Sequence, residues 1–298
     1  MKVLVYDFRW IDERTTEFQA STENKFGRKA LKIGDSLSLE ICSDVMCVGS
    51  RIDDIWSPCP NKTKGKAKCD ICKMRERNFI FTAFDGFDRS NVTELDLEQI
   101  SGSHVVYLVL FDTNLLKIGV TQVSRKILRQ IEQGSHFTLF VAQTPDGISA
   151  RQIETLIRKD GLVDKITSSQ KKDFLCPALT EIEGEKILLD VFAKHRKALD
   201  EYPHLQDFLL KNPEFRSWES IYNTKDIGKN PKSFHSVQLK NGESVAGTIL
   251  AIKGPFLVVE TPDELVALCA KDLIGHEIDF GTRAPGLSVH TALQNSLF

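Results

Sequence analysis

Four cysteines near the start of the chain have the side chains and the spacing that bind a metal ion. Cys69 and Cys72 form a C-x-x-C pair, and Cys47 and Cys59 precede them in the same segment. A C-x-x-C knuckle directs two thiolates at one ion, and two more thiolates complete a tetrahedral site of the structural Zn²⁺ type. We therefore predict one structural zinc site made by Cys47, Cys59, Cys69 and Cys72.

Two alternatives to this zinc site stay open. Cys42 is a fifth cysteine of the segment, but it continues the alternating apolar pattern of residues 37–42, which is typical of a strand, so Cys47 is favoured as the ligand. The cysteines could also be reduced side chains without a metal. A redox pair is less expected, because a lysine-rich loop precedes the C-x-x-C motif where a redox motif would follow a strand.

The cysteine segment is also strongly basic. Residues 61–77 contain seven Lys and Arg residues against two acidic ones, and Lys66 and Lys68 lie just before the C-x-x-C pair. A basic patch held rigid by a metal knuckle could contact the phosphates of a nucleic acid. The equally favoured alternative is a solvated loop whose charge serves only solubility.

The strongest β-hairpin pattern of the chain lies at residues 104–121, HVVYLVLFDTNLLKIGVT. Two apolar runs flank a polar turn at residues 112–114. A three-residue loop pairs Tyr107 with Gly119 and Val109 with Lys117, which places Tyr107, Lys117 and Gly119 on one face. A hydroxyl, an ammonium and an open glycine backbone side by side suggest a site, whereas a two-residue turn would move Lys117 to the other face.

Two predicted helices carry further polar candidates. Residues 124–132 form a helix on which Arg125 and Arg129, four residues apart, share a face and could bind a phosphate. Residues 149–160 form a second helix, with Glu154 at the rim of its apolar stripe, where a carboxylate can reach a cavity. The alternatives are a solvated face on the first helix and surface ion pairs on the second.

This succession of motifs resembles the GIY-YIG nuclease superfamily. VVY and KIG lie across a tight hairpin, followed by the arginine helix and by IETLI in the second helix, over roughly residues 104–160. Tyr107 takes the position of the tyrosine in the first motif, and Gly119 takes that of the glycine in the second. Lys117 stands where a second tyrosine is usual.

The resemblance implies roles for these residues. Arg129, with Arg125 as the reserve, would contact the scissile phosphate, Glu154 would hold a single Mg²⁺ or Mn²⁺, and Tyr107 would position or activate water. Lys117 is protonated at neutral pH and could contact phosphate only as a donor unless its pKa were lowered. The implied activity is a divalent-metal-dependent endonuclease, a hydrolase that cleaves a phosphodiester in DNA or RNA. The alternative is a non-catalytic, zinc-containing nucleic-acid-binding or regulatory protein on the same scaffold.

The whole chain also resembles an uncharacterised prokaryotic family. That family combines a cysteine-rich N-terminal part, a KVG or KIG form of the hairpin, and a C-terminal β segment. The motif Lys253-Gly254-Pro255-Phe256, followed by Leu257, is similar to its KG-x-x-L sequence.

The pattern of elements predicts an α+β protein with four parts. A β-rich zinc-binding unit occupies residues 1–100, with its strands interrupted by the zinc knuckle, and a GIY-YIG-like ββαβα domain occupies residues 101–175. A helical connector follows at residues 176–232. Short strands separated by Asn-Gly and Gly-Pro turns then predict a small antiparallel β-barrel at residues 233–298.

Composition limits the classes of function. The 298 residues are 41% hydrophobic and 27% charged with a net charge of -2, as expected of a soluble globular protein. A nucleic acid, the predicted partner, must therefore be bound by a local basic patch rather than by net charge. No secretory signal and no apolar run of membrane length is evident, so we predict a cytoplasmic protein without a membrane partner.

Overall fold

The computed structural model describes residues 1–22, 25–52, 55–76, 80, 83–163, 165–176, 178–225 and 227–289. The chain divides into two compact units. Unit 1 comprises Met1–Glu76 and Lys229–Phe298, and unit 2 comprises Arg77–Gly228. No helix in these described ranges is both long enough and apolar enough to cross a membrane.

The strands of the two units are numbered in chain order. They are β1 Lys2–Trp10, β2 Thr16–Ser21, β3 Phe26–Leu31, β4 Ser36–Ile41, β5 Ser50–Ile52, β6 Ile55–Ser57, β7 His104–Asp112, β8 Leu115–Gln122, β9 Phe137–Thr144, β10 Leu209–Ser217, β11 Ser233–Val237, β12 Ser244–Lys253, β13 Phe256–Glu260, β14 Glu264–Cys269, β15 Glu277–Asp279 and β16 Gly286–Ser288.

The α-helices of the described residues lie mostly in unit 2. They are α1 Asp70–Arg75, α2 Glu94–Gln99, α3 Lys126–Gln133, α4 Gly147–Lys159, α5 Ser168–Lys172, α6 Glu181–His195, α7 Pro203–Gln206 and α8 Glu219–Tyr222. Together these elements confirm a mixed α+β, β-rich protein, with a cysteine cluster in the N-terminal part.

A single large sheet organises unit 1. Its order is β11-β14-β13-β12-β4-β15-β1-β2-β3, with β16 also paired to β12, and its neighbours are antiparallel except β11 and β14. The alternation of β4 explains its central position, because Leu37, Leu39 and Ile41 are fully buried on one face.

The C-terminal strands do not close into the predicted small barrel in the described part of the chain. β12 pairs with β13 along one edge and with β4, from the N-terminal segment, along the other. The backbone groups of β12 are thus hydrogen-bonded within one open sheet that the N-terminal and C-terminal strands share, so a separate barrel is not needed. The turn at Gly254 is also tied to the first strand, because the Trp10 Nε1 donates to the Gly254 carbonyl at 2.8 Å.

Unit 2 contains a four-stranded antiparallel sheet with the order β10-β9-β7-β8. Its first elements, β7, β8, α3, β9 and α4, follow the predicted ββαβα order. Central strand β7 is buried throughout except at Asp112. Apolar residues of α4 and α6, including Ile153 and Leu188, pack with Leu108 of β7 in one core.

The predicted helical connector is only partly helical. α6 confirms its helical part, but Leu209–Ser217 forms the edge strand β10 against β9. The pairing shifts register between Leu209 and Glu214, where the sequence contains Pro213. Proline lacks the N–H that a central strand needs, so a bulged edge strand is the position in a sheet that tolerates it.

Candidate functional site

The four predicted cysteine ligands form one cluster. The sulfur atoms of Cys47, Cys59, Cys69 and Cys72 all lie within 4.8 Å of one another, and all four residues are buried. The Sγ atoms of Cys59 and Cys69 are 3.9 Å apart. A tetrahedron with Zn–S bonds of about 2.3 Å has sulfurs roughly 3.8 Å apart, so the donor set could hold a metal ion such as zinc.

A glycine makes the first half of the cluster possible. Gly49 has φ +100°, and a Cβ at this position would lie 2.0 Å from the Ser57 carbonyl oxygen. Only a residue without a side chain fits there. The Cys47 N–H donates to the Thr63 carbonyl at 2.7 Å, which fixes this knuckle against the loop before the second pair.

A short helix positions the second half. Cys69 is the residue before α1, and Cys72 lies within its first turn, fully buried. The backbone N–H of Cys69 donates to the Cys47 Sγ at 3.2 Å. This link between the knuckles is the kind of N–H···S contact that stabilises a thiolate.

The thiols differ in their tendency to ionise. Burial opposes ionisation of Cys59, but backbone N–H groups, led by that of Thr63, outweigh it and lower its pKa to about 6. The pKa of Cys69 is also lowered, chiefly by the Cys72 N–H. Burial raises the pKa of Cys47 and Cys72. Two thiolates are thus favoured by the protein itself, and a cation would favour the other two.

Cys42 lies outside the cluster. It is half-buried, and its Sγ contacts the Glu40 carbonyl oxygen of its own strand at 3.6 Å. The cluster therefore contains Cys47 and not Cys42.

Local carboxylates neutralise part of the basic segment. The Lys66 Nζ lies 3.0 Å from Asp70, and the Lys68 Nζ lies 2.5 Å from Glu76. Arg77, at the end of the segment, falls outside the described residues. Phosphate contact by Lys66 and Lys68 stays a prediction.

The hairpin of unit 2 has the predicted pairing but a different turn. Tyr107 pairs with Gly119 and Val109 with Lys117, so Tyr107, Lys117 and Gly119 share one face. The loop is shorter than expected, because Asp112 pairs with Leu115. A bulge at residue 111 adds one residue to β7 and so keeps the register that a plain two-residue turn would have shifted.

The Tyr107 ring lies directly over Gly119. A Cβ on Gly119 would be 2.6 Å from the Tyr107 hydroxyl oxygen and 2.7 Å from its Cζ. Tyr107 is 1% exposed, and its hydroxyl accepts a hydrogen bond from the Gln133 Nε2 at 2.9 Å. The pKa of Tyr107 is raised, first by burial and also by the Glu154 carboxylate, while the Arg129 guanidinium opposes the shift.

The α3 helix supplies the cations. It begins at Lys126, two residues later than predicted, after a 3₁₀ turn, and it ends at Gln133, before Gly134 with φ +72°. Arg129 is partly exposed beside Tyr107 and lies 3.8 Å from Glu132. Arg125 pairs with Glu132 at 2.7 Å, and of the two arginines it is Arg129 that interacts with the Tyr107 hydroxyl. Arg129 is therefore better placed than Arg125 to act together with Tyr107.

Glu154 lies on α4, which packs against β8. The helix begins at Gly147, two residues earlier than predicted, because the Asp146 carboxylate caps it by accepting from the Ser149 N–H at 2.7 Å. Glu154 is 7% exposed and pairs with the Arg151 Nη1 at 2.5 Å. Its rim position is thus as expected, with an ion-pair partner one turn away.

Two buried histidines of unit 2, His104 and His136, have structural partners. The ring of His104 contacts the Gly102 carbonyl at 2.9 Å, and burial lowers its pKa. Both ring nitrogens of buried His136 are engaged, one with the Glu219 carboxylate and the other with the Phe174 carbonyl. Tyr107, Gly119, Arg129 and Glu154 are together called the Tyr107 cluster. Neither imidazole adds a donor to it.

Sequence reasoning did not find Gln133. This residue lies one turn after Arg129 on the same face of α3, and its amide contacts both the Tyr107 hydroxyl and the Gln130 Oε1. The spacing of four residues was the available signal. Lys117, in contrast, was placed correctly on the Tyr107 face and is half-buried.

Comparison with known proteins places this site in a family. No curated protein and no solved structure matches the chain significantly. Residues 34–278, well over half of the chain, match the family described as "Protein of unknown function (DUF2797)", and this range contains both the cysteine cluster and the Tyr107 cluster. The chain therefore belongs to the DUF2797 family.

Proposed function

We propose that unit 2 cleaves phosphodiester bonds in DNA or RNA through a site of the GIY-YIG type. The observation that carries the proposal is the grouping of Tyr107, Arg129 and Glu154 near Gly119, on a ββαβα succession of elements. Gln133 and Gln130 each leave one buried amide atom without a hydrogen-bond partner in the described structure. Such unpaired polar atoms are uncommon and are concentrated at functional sites.

The side chains suggest distinct roles in the reaction. Arg129 is exposed to solvent and interacts with the Tyr107 hydroxyl, so it would bind the phosphate and stabilise charge that develops on its oxygens. Tyr107 is buried with a raised pKa and stays protonated at neutral pH, so it acts as a positioning donor rather than as a base. Lys117 shares its face and would contact phosphate as a second cation.

Glu154 is the residue that would hold Mg²⁺ or Mn²⁺. A single carboxylate fits these hard cations, which bind oxygen and keep several waters. When bound, such an ion supplies electrostatic stabilisation of the phosphoryl oxygens. Binding requires Glu154 to exchange its ion pair with Arg151 for the cation, and the partial exposure of Arg151 permits this exchange.

A second candidate function is a zinc-containing nucleic-acid-binding or regulatory protein without catalysis. Two observations favour it. The Glu154 carboxylate is already paired with Arg151, and Lys117 occupies the position of the usual second tyrosine. In this alternative the Tyr107 cluster is a phosphate-binding surface only.

In both cases we propose that Zn²⁺ occupies the cysteine cluster and has a structural role. Four buried thiols with no open position are typical of a structural rather than a catalytic site. Elemental analysis of the chain purified without chelator should give about one zinc per molecule. A value near zero would contradict this assignment.

A cleavage assay separates the two functions. The full chain, with its zinc retained, is incubated with labelled single-stranded, duplex and branched DNA and RNA, with Mg²⁺ or Mn²⁺ added or omitted. Cleavage should require the added ion and should be abolished by Glu154→Gln, which keeps the shape of the side chain and removes its charge. Glu185→Gln, on the exposed side of α6, is the matched control and should behave as the parent.

The same assay tests the choice between the two arginines. Arg129→Gln should slow cleavage by about 10²- to 10³-fold, whereas Arg125→Gln should have a much smaller effect. If Glu154→Gln cleaved at the parental rate, Glu154 would have no role in catalysis. If the parent bound these substrates but cut none of them with either ion, the binding function would replace the enzyme.

A further inference from the structure

Unit 1 contains a groove of about 750 Å³ on the side of its sheet where β3 forms the edge. One wall is formed by β1 and β3, and the other by the small hairpin β5–β6. Its size lies in the range of pockets that hold small organic ligands or one to a few residues of a polymer. The lining residues include Tyr6, Arg9, Phe26, Arg28, Arg51 and Trp56.

Three aromatic rings form a platform in this groove. Tyr6 stacks on Trp56 with centroids 4.4 Å apart and an interplanar angle of 17°, and Phe26 meets the Trp56 ring edge-on at 5.3 Å. Phe26 is nevertheless 68% exposed. A large aromatic ring that is held by two others yet left open to solvent offers a face on which a planar group can stack.

Three arginines surround the platform, and they are not equivalent. Arg9 is paired with buried Glu17 at 3.0 Å, and Arg51 is paired with Asp7 at 3.0 Å. These pairs hold two guanidiniums in fixed positions along the groove. Arg28 is exposed, and no ion pair to it is found among the described residues of unit 1.

Arg28 and Phe26 lie on the same face of β3. They are two residues apart on one strand, so their side chains point to the same side, about 7 Å apart along the strand. An exposed stacking ring next to a guanidinium that has no ion pair among the described residues combines the two contacts by which single strands of nucleic acid are bound, base stacking and backbone neutralisation. A peptide ligand would not require that combination.

The cysteine cluster holds the second wall of the groove in place. Hairpin β5–β6 leaves the cluster after Cys47 and returns to it at Cys59, so both of its ends are fixed by members of the cluster. The tight packing of Gly49 on Ser57 closes the base of the hairpin. The position of Arg51 and Trp56 opposite Tyr6 therefore depends on an assembled cluster.

We propose that this groove binds single-stranded nucleic acid, with a base stacked on Phe26 and the backbone phosphates contacted by Arg28. The proposal goes beyond the cleavage function of unit 2 and does not require it. Arg9 and Arg51 are held in fixed positions by Glu17 and Asp7 and line the groove as hydrogen-bond donors, and Tyr6 and Trp56 support the stacking ring. Because recognition is by ring faces and charge, we expect little preference among sequences.

The test is binding of a fluorescein-labelled oligothymidylate or oligouridylate of about twelve nucleotides, a length within the range of single-strand sites. Anisotropy is measured on the full zinc-containing chain carrying Glu154→Gln, so that cleavage by unit 2 cannot interfere. Phe26→Ala should weaken binding by about tenfold or more, and Phe26→Trp should retain it. Phe26→Leu keeps apolar area without a ring face and should weaken binding as Phe26→Ala does.

Salt dependence tests the role of Arg28 separately. Arg28→Gln should weaken binding and lower the slope of log K against log salt by about 0.7, the value for one phosphate contact on a single strand. Arg14→Gln is the matched control, since Arg14 is exposed in the turn after β1 and lies outside the groove. Because Phe26 and Arg28 are exposed, zinc content and thermal unfolding should be the same as in the parent.

Each outcome decides the proposal. Parental binding by both Phe26→Ala and Arg28→Gln would overturn it, as would Phe26→Leu binding as tightly as Phe26→Trp, which would indicate an apolar peptide site. Thymidine monophosphate that bound as tightly as the oligomer would show a nucleotide site and would also overturn the claim for a strand. A failed cleavage assay would leave all of these outcomes unaffected, so the two proposals fail independently.

Discussion

The cysteine cluster and the Tyr107 cluster are built in opposite ways. The cysteines lie within residues 47–72, and their geometry depends on two tight knuckles. Tyr107, Gly119, Arg129 and Glu154 come from two strands and two helices, and their geometry depends on strand register and helix packing. A cluster whose residues are close in sequence can therefore be predicted from their spacing, whereas a cluster of residues far apart in sequence can be predicted only when the fold is known.

The two clusters also differ in what stabilises them. Among the described residues, the buried apolar cluster at this site consists of the four cysteines. The unit 2 core, in contrast, includes residues from its sheet and from α4 and α6, such as Leu108 and Ile153. A metal ion would thus replace a hydrophobic core at the first site, whereas the second site rests on one.

The largest expected effect is the loss of a cysteine ligand. Cys59→Ser should release the metal and disorder the segment around the cluster in unit 1, because bound structural zinc contributes on the order of 10–16 kcal/mol in small zinc modules. The transition of unit 2 should stay near its parental position. Limited proteolysis, zinc content and two-transition thermal unfolding measure this difference.

Cys42→Ser is the matched control for that variant. Cys42 lies in the same segment but outside the cluster, so zinc content and proteolysis should remain parental. Equal sensitivity of both variants would show that general packing, rather than the cluster, maintains the segment. Chelation of the parent should reproduce Cys59→Ser if the metal is responsible.

The hairpin shows how much the sequence could predict. An assumed three-residue loop predicted the pairing of Tyr107 with Gly119, and the structure has that pairing. The bulge at residue 111 could not be foreseen, because the loop length and the bulge compensate each other and leave the same register. The Tyr107 to Gln133 contact likewise depends on where α3 crosses the sheet.

The C-terminal segment shows the limit more sharply. Its turns at Gly242 and Gly254 were predicted from local sequence, and a separate barrel was the simplest closure. One neighbour of β12 is β4, about two hundred residues earlier in the chain. Pairing between strands so far apart in the chain depends on which strand edges are left unpaired in the fold, and a local sequence pattern does not predict it.

A smaller effect is expected at the contact between Gly119 and Tyr107. In Gly119→Ala the new Cβ would lie 2.6–2.9 Å from three atoms of a fully buried ring that cannot move away. Such overpacking costs about 1–3 kcal/mol of unfolding free energy, and it should affect unit 2 only. Gly228→Ala is the control, since no atom lies within 4 Å of its Cβ position.

A double variant sharpens this prediction. Tyr107→Phe removes the hydroxyl oxygen but leaves the Cζ at 2.7 Å, so it should rescue Gly119→Ala only in part. Urea unfolding of the four chains in the cycle gives the coupling energy. Zero coupling would mean that the ring and the glycine do not touch in solution.

A still smaller effect should appear at alkaline pH. The pKa of Tyr107 is raised by burial, so its contribution to stability is full below the unfolded value of about 10 and is lost as the pH rises through the folded value. Unit 2 should lose stability above about pH 10, and Tyr107→Phe should flatten this decline. The pKa of buried Tyr222 is raised by burial as well, so part of the decline should remain in Tyr107→Phe. Parallel declines in parent and variant would show that Tyr107 is accessible to solvent.

The smallest effect is expected at the charges around the cysteine cluster. Lys66 and Asp70 form an exposed i, i+4 pair at 3.0 Å, beside the cluster but not part of it. Solvent screens such a pair, so Lys66→Gln should leave zinc content and the unfolding midpoint of unit 1 unchanged within error. Asp70→Asn should be equally silent, whereas a clear fall in stability would mean that the pair supports the second knuckle. If Lys66 contacts phosphate, Lys66→Gln would lower only the salt slope of nucleic-acid binding, which separates a binding role from the structural role of the thiols.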